Sequence, residues 1–165
     1  MKRPVFVLVF GEGGHKAQMD RLVSRMEKYM DMHDMKFVCI SENGAVITSN
    51  SILEIYQVDP IRSKYWSFKN FLFFPNKYFK IVKCFLYLRR KYDLKALIST
   101  GPGLVIPFSF LFKLSNIKII YIETWSRFET KSITGKVLYY LADRFYIQNE
   151  SLKKLYPKSI FSGLL

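Results

Sequence analysis

At 165 residues, half of them hydrophobic, the chain is sized for one domain with a real core and is too apolar to be disordered. Twenty-six Lys and Arg against 13 Asp and Glu leave a net charge of +13, and the excess is local. Residues 61–95 hold ten Lys and Arg against Asp93 alone, which is +9 of the +13, together with eleven of the 28 aromatic residues. A basic and aromatic window points to an anionic membrane surface or a nucleic acid. RNA- and DNA-binding signatures are missing, which argues against the nucleic acid.

Residues 4–10 are an unbroken apolar run, the pattern of a strand buried on both faces of a parallel sheet. The run stops at Gly11-Glu12-Gly13-Gly14-His15, and a helix over 16–30 follows with Met19, Leu22, Val23, Met26 and Met30 at core spacing. Residues 36–41 read as a second strand, 42–51 as a polar loop and 52–58 as a third strand that Asp59-Pro60 ends. Residues 64–74 are the aromatic-basic stretch, a loop or short helix, and Pro75-Asn76 opens a long helix to about Tyr92. A strand over 95–99, the tight turn Thr100-Gly101-Pro102-Gly103 and an apolar helix over 104–114 come next. Then follow a strand at 118–122, a loop at 123–128, a helix over 130–142 and a strand over 144–148. Asn149 is placed to cap a short helix to Tyr156, and 158–161 reads as a last strand. Strands alternating with helices predict an α/β fold with a mainly parallel, Rossmann-like sheet. The loops at 11–15, 99–103 and 123–128 all follow strands, so they converge on the carboxyl edge, where such sheets bind ligands.

Each loop carries chemistry. Gly11, Gly13 and Gly14 let backbone N–H groups approach an anion at a helix N-terminus, and the imidazole of His15 suits a general base or a hydrogen-bond donor. A glycine turn with a capping histidine is the plainer alternative. Thr100, Gly101 and Gly103 offer a second amide nest, or a simple strand-to-helix connector. Glu123 and Arg127 either pair with each other or separate, Glu123 accepting sugar hydroxyls while Arg127 holds a diphosphate. On the long helix Lys77, Lys80, Lys83, Arg90 and Lys91 fall on one arc. Tyr78, Phe79, Ile81, Val82, Phe85, Leu86 and Leu88 fill the other side. With Trp66, Phe68, Phe71, Phe73 and Phe74 just upstream, the expectation is an interfacial helix at a membrane surface.

Cys39 and Cys84 have no metal-type or redox-type neighbours and read as reduced thiols of a cytosolic protein; no metal site is expected. The N-terminus enters a strand at once, so no signal peptide is expected. The longest apolar run, 104–112, contains Pro107 and is too short for the roughly 30 Å of hydrocarbon. Membrane contact is expected from one side only.

The Gly-x-Gly-Gly-His start, the Thr-Gly-Pro-Gly turn and the stretch 121–148, which begins Tyr-Ile-Glu-Thr-Trp-Ser-Arg-Phe, resemble one family. It is the membrane-anchoring subunit of the two-part UDP-N-acetylglucosamine transferase of dolichol-linked oligosaccharide synthesis. Bacterial relatives from capsule and exopolysaccharide loci, the galactosyltransferase enhancers, belong to the same group. The resemblance covers nearly the whole chain and implies the N-terminal, acceptor-binding half of a GT-B glycosyltransferase, with the donor half on a separate polypeptide. It places the family's first glycine loop on Gly11, Gly13, Gly14 and His15, its second turn on Gly101, Pro102 and Gly103, and its acidic-basic loop on Glu123 and Arg127. Two departures stand out. Eukaryotic members usually begin with a membrane-spanning helix, which is not expected here, and Glu12 stands where a small residue is common.

The expected function is a membrane-associated acceptor-binding subunit of a UDP-sugar transferase, acting on a polyprenyl-diphosphate-linked saccharide at the cytoplasmic face of the membrane. His15 is the candidate base and Glu123 a second catalytic candidate. Gly11, Gly13, Gly14, Thr100, Gly101, Gly103 and Arg127 hold the acceptor and its diphosphate. Trp66, Phe71, Phe73, Phe74, Lys77, Lys80, Lys83 and Arg90 face the membrane. No cofactor is expected beyond a UDP-sugar held mainly by the partner. The chain has no length left for a donor-binding half, and its apolar end predicts docking to that partner through Ile160, Leu164 and Leu165. The alternative is a purely structural anchor without active-site residues.

Overall fold

The computed structural model describes residues 2–59 and 75–165. Its elements are β1 (Pro4–Phe10), α1 (Gly14–Met32), β2 (Lys36–Glu42), β3 (Ile52–Val58), α2 (Pro75–Lys91), β4 (Asp93–Ser99) and α3 (Val105–Leu114), then β5 (Lys118–Ile122), α4 (Ile133–Leu141), β6 (Arg144–Ile147), a 3₁₀ turn (Glu150–Lys154) and β7 (Ile160–Phe161). The seven strands form one sheet in the order β3-β2-β1-β4-β5-β6-β7, and every neighbouring pair is parallel. The α/β, Rossmann-like expectation holds. Progress across the sheet reverses between β1 and β4, so the crevice of a doubly wound fold opens beyond the carboxyl ends of these two strands.

Side chains alternate across the interior strand β1. Val5, Val7 and Val9 enter one core with Ile81, Phe85 and Leu88 of α2, Phe108 and Phe112 of α3, and Leu138 of α4. Leu8 and Phe10 enter the other with Met19, Val23 and Met30 of α1. Because β1 is buried on both faces, it has no polar position to spare, which is why its sequence is apolar without a break.

Several expectations are corrected. The 42–51 loop is not merely polar: Ala45 and Ile47 are buried in the α1-side core. The helix expected over 130–142 begins only at Ile133, because Ser132 caps it by accepting the Gly135 N–H at 2.7 Å. Asn149 makes no side-chain cap for the turn that follows it. The apolar side of α2 divides in two. Ile81, Phe85 and Leu88 face the protein's own core, while Phe79, Val82 and Leu86 are exposed on the outward face beside Lys83 and Arg90. Lys80 is not simply a solvated membrane cation, since it pairs with Asp59 at 3.1 Å. Lys91 likewise pairs with Glu54, which also accepts the Tyr92 hydroxyl at 2.8 Å, so both ends of α2 are tied to edge strand β3 and the loop after it. Trp66, Phe71, Phe73 and Phe74 lie outside the described residues, as does the side chain of Lys77. Among the described residues no helix is long and apolar enough to cross a membrane.

Both cysteines are free. Burial pushes the Cys39 thiol up to about 12 and that of Cys84 to about 11, so neither is a ready thiolate.

The division of α2 is testable by two truncations of the same residue type. Leu88→Ala removes a fully buried side chain and should cost about 2–5 kcal/mol in denaturant unfolding. Leu86→Ala, at a position 56% exposed, should stay within about 0.5 kcal/mol of the parent. Equal losses at the two positions would refute this placement of the helix.

Candidate functional site

The site is built where β1, β4 and β5 end. After β1 the chain turns at Gly13, whose φ of 62° is the left-handed region that favours glycine. Gly13 is the N-cap of α1 and makes no side-chain cap bond; it and Gly14 are exposed. The first turn of α1 therefore presents its N–H groups without a side chain across them, and the helix dipole adds partial positive charge there.

His15, in that first turn, is half-buried. Its Nδ1 lies 2.7 Å from the Thr100 carbonyl oxygen, and the Thr100 hydroxyl donates back to the His15 carbonyl at 2.9 Å. This reciprocal clasp spans the crevice between β1 and β4. A carbonyl only accepts, so Nδ1 carries the proton and Nε2 keeps its lone pair. Burial holds the His15 pKa below its ordinary 6.5, against the opposing pull of the Thr100 bond and the Glu123 charge. Gly101 makes the clasp possible: its φ is 118°, and a Cβ there would lie 2.8 Å from His15 Cε1. The structure thus brings Gly11, Gly13, Gly14, His15, Thr100, Gly101 and Gly103 to one edge, as expected. The N-terminus of α3 also lacks a side-chain cap.

Glu42, at the end of β2, was not singled out from the sequence. Its carboxylate accepts the Glu12 backbone N–H and sits so close to the first loop that a Cβ on Gly11 would be 2.6 Å from its Oε2. Burial raises its pKa, and the Glu12 charge adds to that. An acidic residue ending the second strand of a βαβ unit is the sequence signal that could have found it.

Glu123 is placed differently from expectation. It is fully buried, and both its oxygens are engaged within the protein. Oε1 accepts the Thr124 N–H at 3.0 Å, while Oε2 accepts the Ser132 and Tyr156 hydroxyls, each at 2.9 Å. Burial and the Glu123 charge push the pKa of both Tyr121 and Tyr156 up, so these phenols keep their protons. Glu123 therefore does not accept sugar hydroxyls; it is the internal anion at the α4 N-terminus. Nor does it pair with Arg127, which is exposed and donates from Nη1 to Thr130 Oγ1 at 2.9 Å. Asn149 Nδ2 pins this loop by donating to the carbonyls of Trp125 and Arg127, at 2.7 and 2.6 Å. Trp125 stacks under the Arg21 guanidinium, 4.8 Å from the ring centroid, next to Gly14.

The expected docking end is partly folded back. Leu165 packs on the α1-side core, whereas Ile160, Phe161 and Leu164 are exposed. Among the described residues no group of three His, Cys, Asp or Glu side chains is arranged to hold a metal ion.

A seven-stranded parallel sheet with its open helix N-termini and a histidine at the switch point makes this a Rossmann-like α/β domain with the fold of one half of a GT-B protein. Solved structures agree on the fold. MurG of Acinetobacter baumannii superimposes with a TM-score of 0.62 at 14% identity, over 88% of this chain and 41% of that one. UDP-GlcNAc 2-epimerase of Neisseria meningitidis, bound to UDP-GlcNAc, gives 0.64 at 12% identity, over 97% and 46%. This chain spans less than half the length of either. It belongs to the family described as "Oligosaccharide biosynthesis protein Alg14 like", whose model matches residues 6–165. The mouse "UDP-N-acetylglucosamine transferase subunit ALG14" is 27% identical over 181 residues, 95% of this chain and 81% of that protein. The subunit of the same name from Saccharomyces cerevisiae is 27% identical over 202 residues, 99% and 78% of the two chains.

Gly135 gives a sharp test of the Glu123 arrangement. Replacing an ordinary helical glycine by alanine stabilises by about 0.5–1 kcal/mol. Here a Cβ would collide with Glu123 Oε2 and come within 2.5 Å of the Tyr156 hydroxyl. Gly135→Ala should instead lose about 1–3 kcal/mol in equilibrium unfolding, the usual cost of overpacking. A stabilised variant would show that Glu123 lies elsewhere.

Proposed function

We propose that this chain is the acceptor-binding subunit of a UDP-sugar transferase that extends a polyprenyl-diphosphate-linked saccharide in polysaccharide biosynthesis. A separate donor-binding chain completes the enzyme at the cytoplasmic face of the membrane. The observation that carries the reading is His15, held as a neutral base by the Thr100 carbonyl between the uncapped N-termini of α1 and α3. The relatives' names add UDP-N-acetylglucosamine as the favoured donor.

In this reading the acceptor diphosphate rests on the Gly13–Gly14 end of α1, with Arg127 at the rim and the Gly101–Gly103 turn opposite. His15 Nε2 takes the proton of the acceptor hydroxyl as its oxygen attacks the anomeric carbon. UDP departs from the opposite side of that carbon, so the configuration inverts. The donor nucleotide is gripped by the partner, which docks at the exposed Ile160, Phe161 and Leu164. The outward stripe of Phe79, Val82 and Leu86 on α2, flanked by Lys83 and Arg90, lies against the membrane. Phe110 and Leu114 of α3, which packs beside α2 through Phe112 against Phe85, are exposed as well.

Reconstitution tests the catalytic part. Transfer from UDP-N-acetylglucosamine to a polyprenyl-diphosphate saccharide should require both this chain and the candidate donor-binding chain. His15→Ala in the assembled complex should then lose about 10²–10⁴-fold in rate. Since the folded pKa of His15 is depressed, the base form survives acidification, and the acid limb of kcat should fall below pH 6.5. Near-parental turnover by His15→Ala would instead favour a purely structural anchor.

The membrane part has its own measurement. Changing Lys77, Lys83 and Arg90 to Glu leaves the Lys80 and Lys91 ion pairs intact. Each cation near an anionic surface contributes about 1 kcal/mol, so the triple variant should be released from phosphatidylglycerol vesicles at physiological salt. Sedimentation equal to that of the parent would exclude α2 as the contact.

A further inference from the structure

Gln148 follows β6 and is 2% exposed. Both ends of its amide are used. Nε2 donates to the Glu123 carbonyl at 2.9 Å, and Oε1 accepts the Leu165 N–H at 2.9 Å. Turning the amide over would set donor against donor and acceptor against acceptor, so its orientation is fixed by its partners. One side chain therefore joins the last residues of the chain to the start of the 123–127 loop.

A second link runs in parallel on the α1 side. Arg21 Nη1 donates to the Leu165 main-chain oxygen at 2.9 Å, while the same guanidinium stacks on Trp125. Arg25 adds a longer bond to the Leu164 carbonyl at 3.4 Å. The segment is led there by the Ser162 N–H, which bonds the Ile147 carbonyl at 3.0 Å, and by Gly163 in the left-handed region at φ 70°. Both backbone groups of Leu165 thus end on side chains whose other ends hold the loop that carries Trp125 and Arg127.

We propose that residues 162–165 and the 123–127 loop are one coupled unit, with Gln148 and Arg21 as the positioning residues that join them. This deepens the proposed function and rests on it in one respect: the exposed Leu164 and Phe161 are where the donor-binding chain would sit. A chain seated there holds the segment in place, and the two links hand that order to Trp125, beside the open end of α1. Acceptor binding is then promoted when the donor half arrives. By linkage, acceptor bound at the loop tightens partner binding by the same factor.

The coupling is measured in this chain alone, so its failure is separate from failure of the transferase reading. Amide hydrogen exchange at 124–128 is compared in the full chain, a truncation after Phe161, Gln148→Met and the two combined. Gln148→Met, which breaks one link, should speed loop exchange about fivefold, the loss of roughly one hydrogen bond, and the truncation, which releases both links, should speed it at least as much. The combined variant should fall clearly short of the product of the two single effects, because both act through the shared Gln148 link, while β1 and β4 amides stay protected. Loop exchange unchanged by the truncation, or effects that multiply, would overturn the proposal. If Gln148→Met exposes β1 and β4 as well, Arg21→Lys is read by Trp125 fluorescence in a Trp66→Phe background. Truncation and Arg21→Lys should then shift the emission alike and not additively; independent shifts would overturn the coupling.

Discussion

A carboxylate with no exposed surface organises the C-terminal half of this protein. Removing such a group from water costs several kcal/mol unless hydrogen bonds replace the water on every side. Glu123 forms no ion pair among the described residues, so the replacement is made by neutral donors alone. Thr124 N–H comes from the end of β5, the Ser132 hydroxyl from the cap of α4, and the Tyr156 hydroxyl from the residues after the 3₁₀ turn. Bonds to a charged acceptor are worth about 1.5–3 kcal/mol each, so losing any one of them is felt by all three segments. The glycine at 135 belongs to the same constraint, since a side chain there would occupy the space of the carboxylate.

That constraint separates the three strand-to-helix junctions into two kinds. The N-terminus of α4 is satisfied from within, by Ser132 backed by Glu123. The N-termini of α1 and α3 carry no side-chain cap, and α1 exposes two glycines. A helix start left uncapped beside a histidine costs some stability and keeps partial positive charge available to a ligand. Glu42 limits how far the first loop can serve an anion, because its own carboxylate already takes the Glu12 N–H. The free donors therefore lie on the His15 side of the loop, next to the crevice.

The strands were legible because an apolar run bounded by Gly, Pro or Asp has few other solutions in a parallel sheet. Pro4–Phe10, Ile52–Val58 and Lys118–Ile122 stand where the pattern placed them. The glycine loops and His15 were legible for a local reason: the turn itself dictates those residue types. Glu123 was misplaced because a carboxylate after a strand has the same local pattern whether it faces solvent or a capped helix. Its partners, Ser132 and Tyr156, are 9 and 33 residues away in the chain. Asn149 and Gln148 were opaque for the same reason, since their bonds reach across 22 to 25 residues to the 123–127 loop. The projection of α2 failed in another way. Periodicity shows that a helix has an apolar side, but it does not distinguish the part that meets the protein core from the part that meets something else.

The charge excess acquires a direction once the folded pairs are removed from it. Lys80 and Lys91 are committed to Asp59 and Glu54, which leaves Lys83 and Arg90 on the outward face of α2 with Phe79, Val82 and Leu86. That face belongs to the layer of α2, α3 and α4. Residue 165 folds against the opposite core, on the α1 side, and the glycine loops open at the carboxyl edge between the two layers. Under the proposed function, membrane, partner and acceptor thus meet three separate surfaces of one small sheet. Surfaces that do not overlap do not compete, so all three can be occupied at once. A base that must meet a lipid-borne hydroxyl on one side and a donor held by another chain on the other needs that separation.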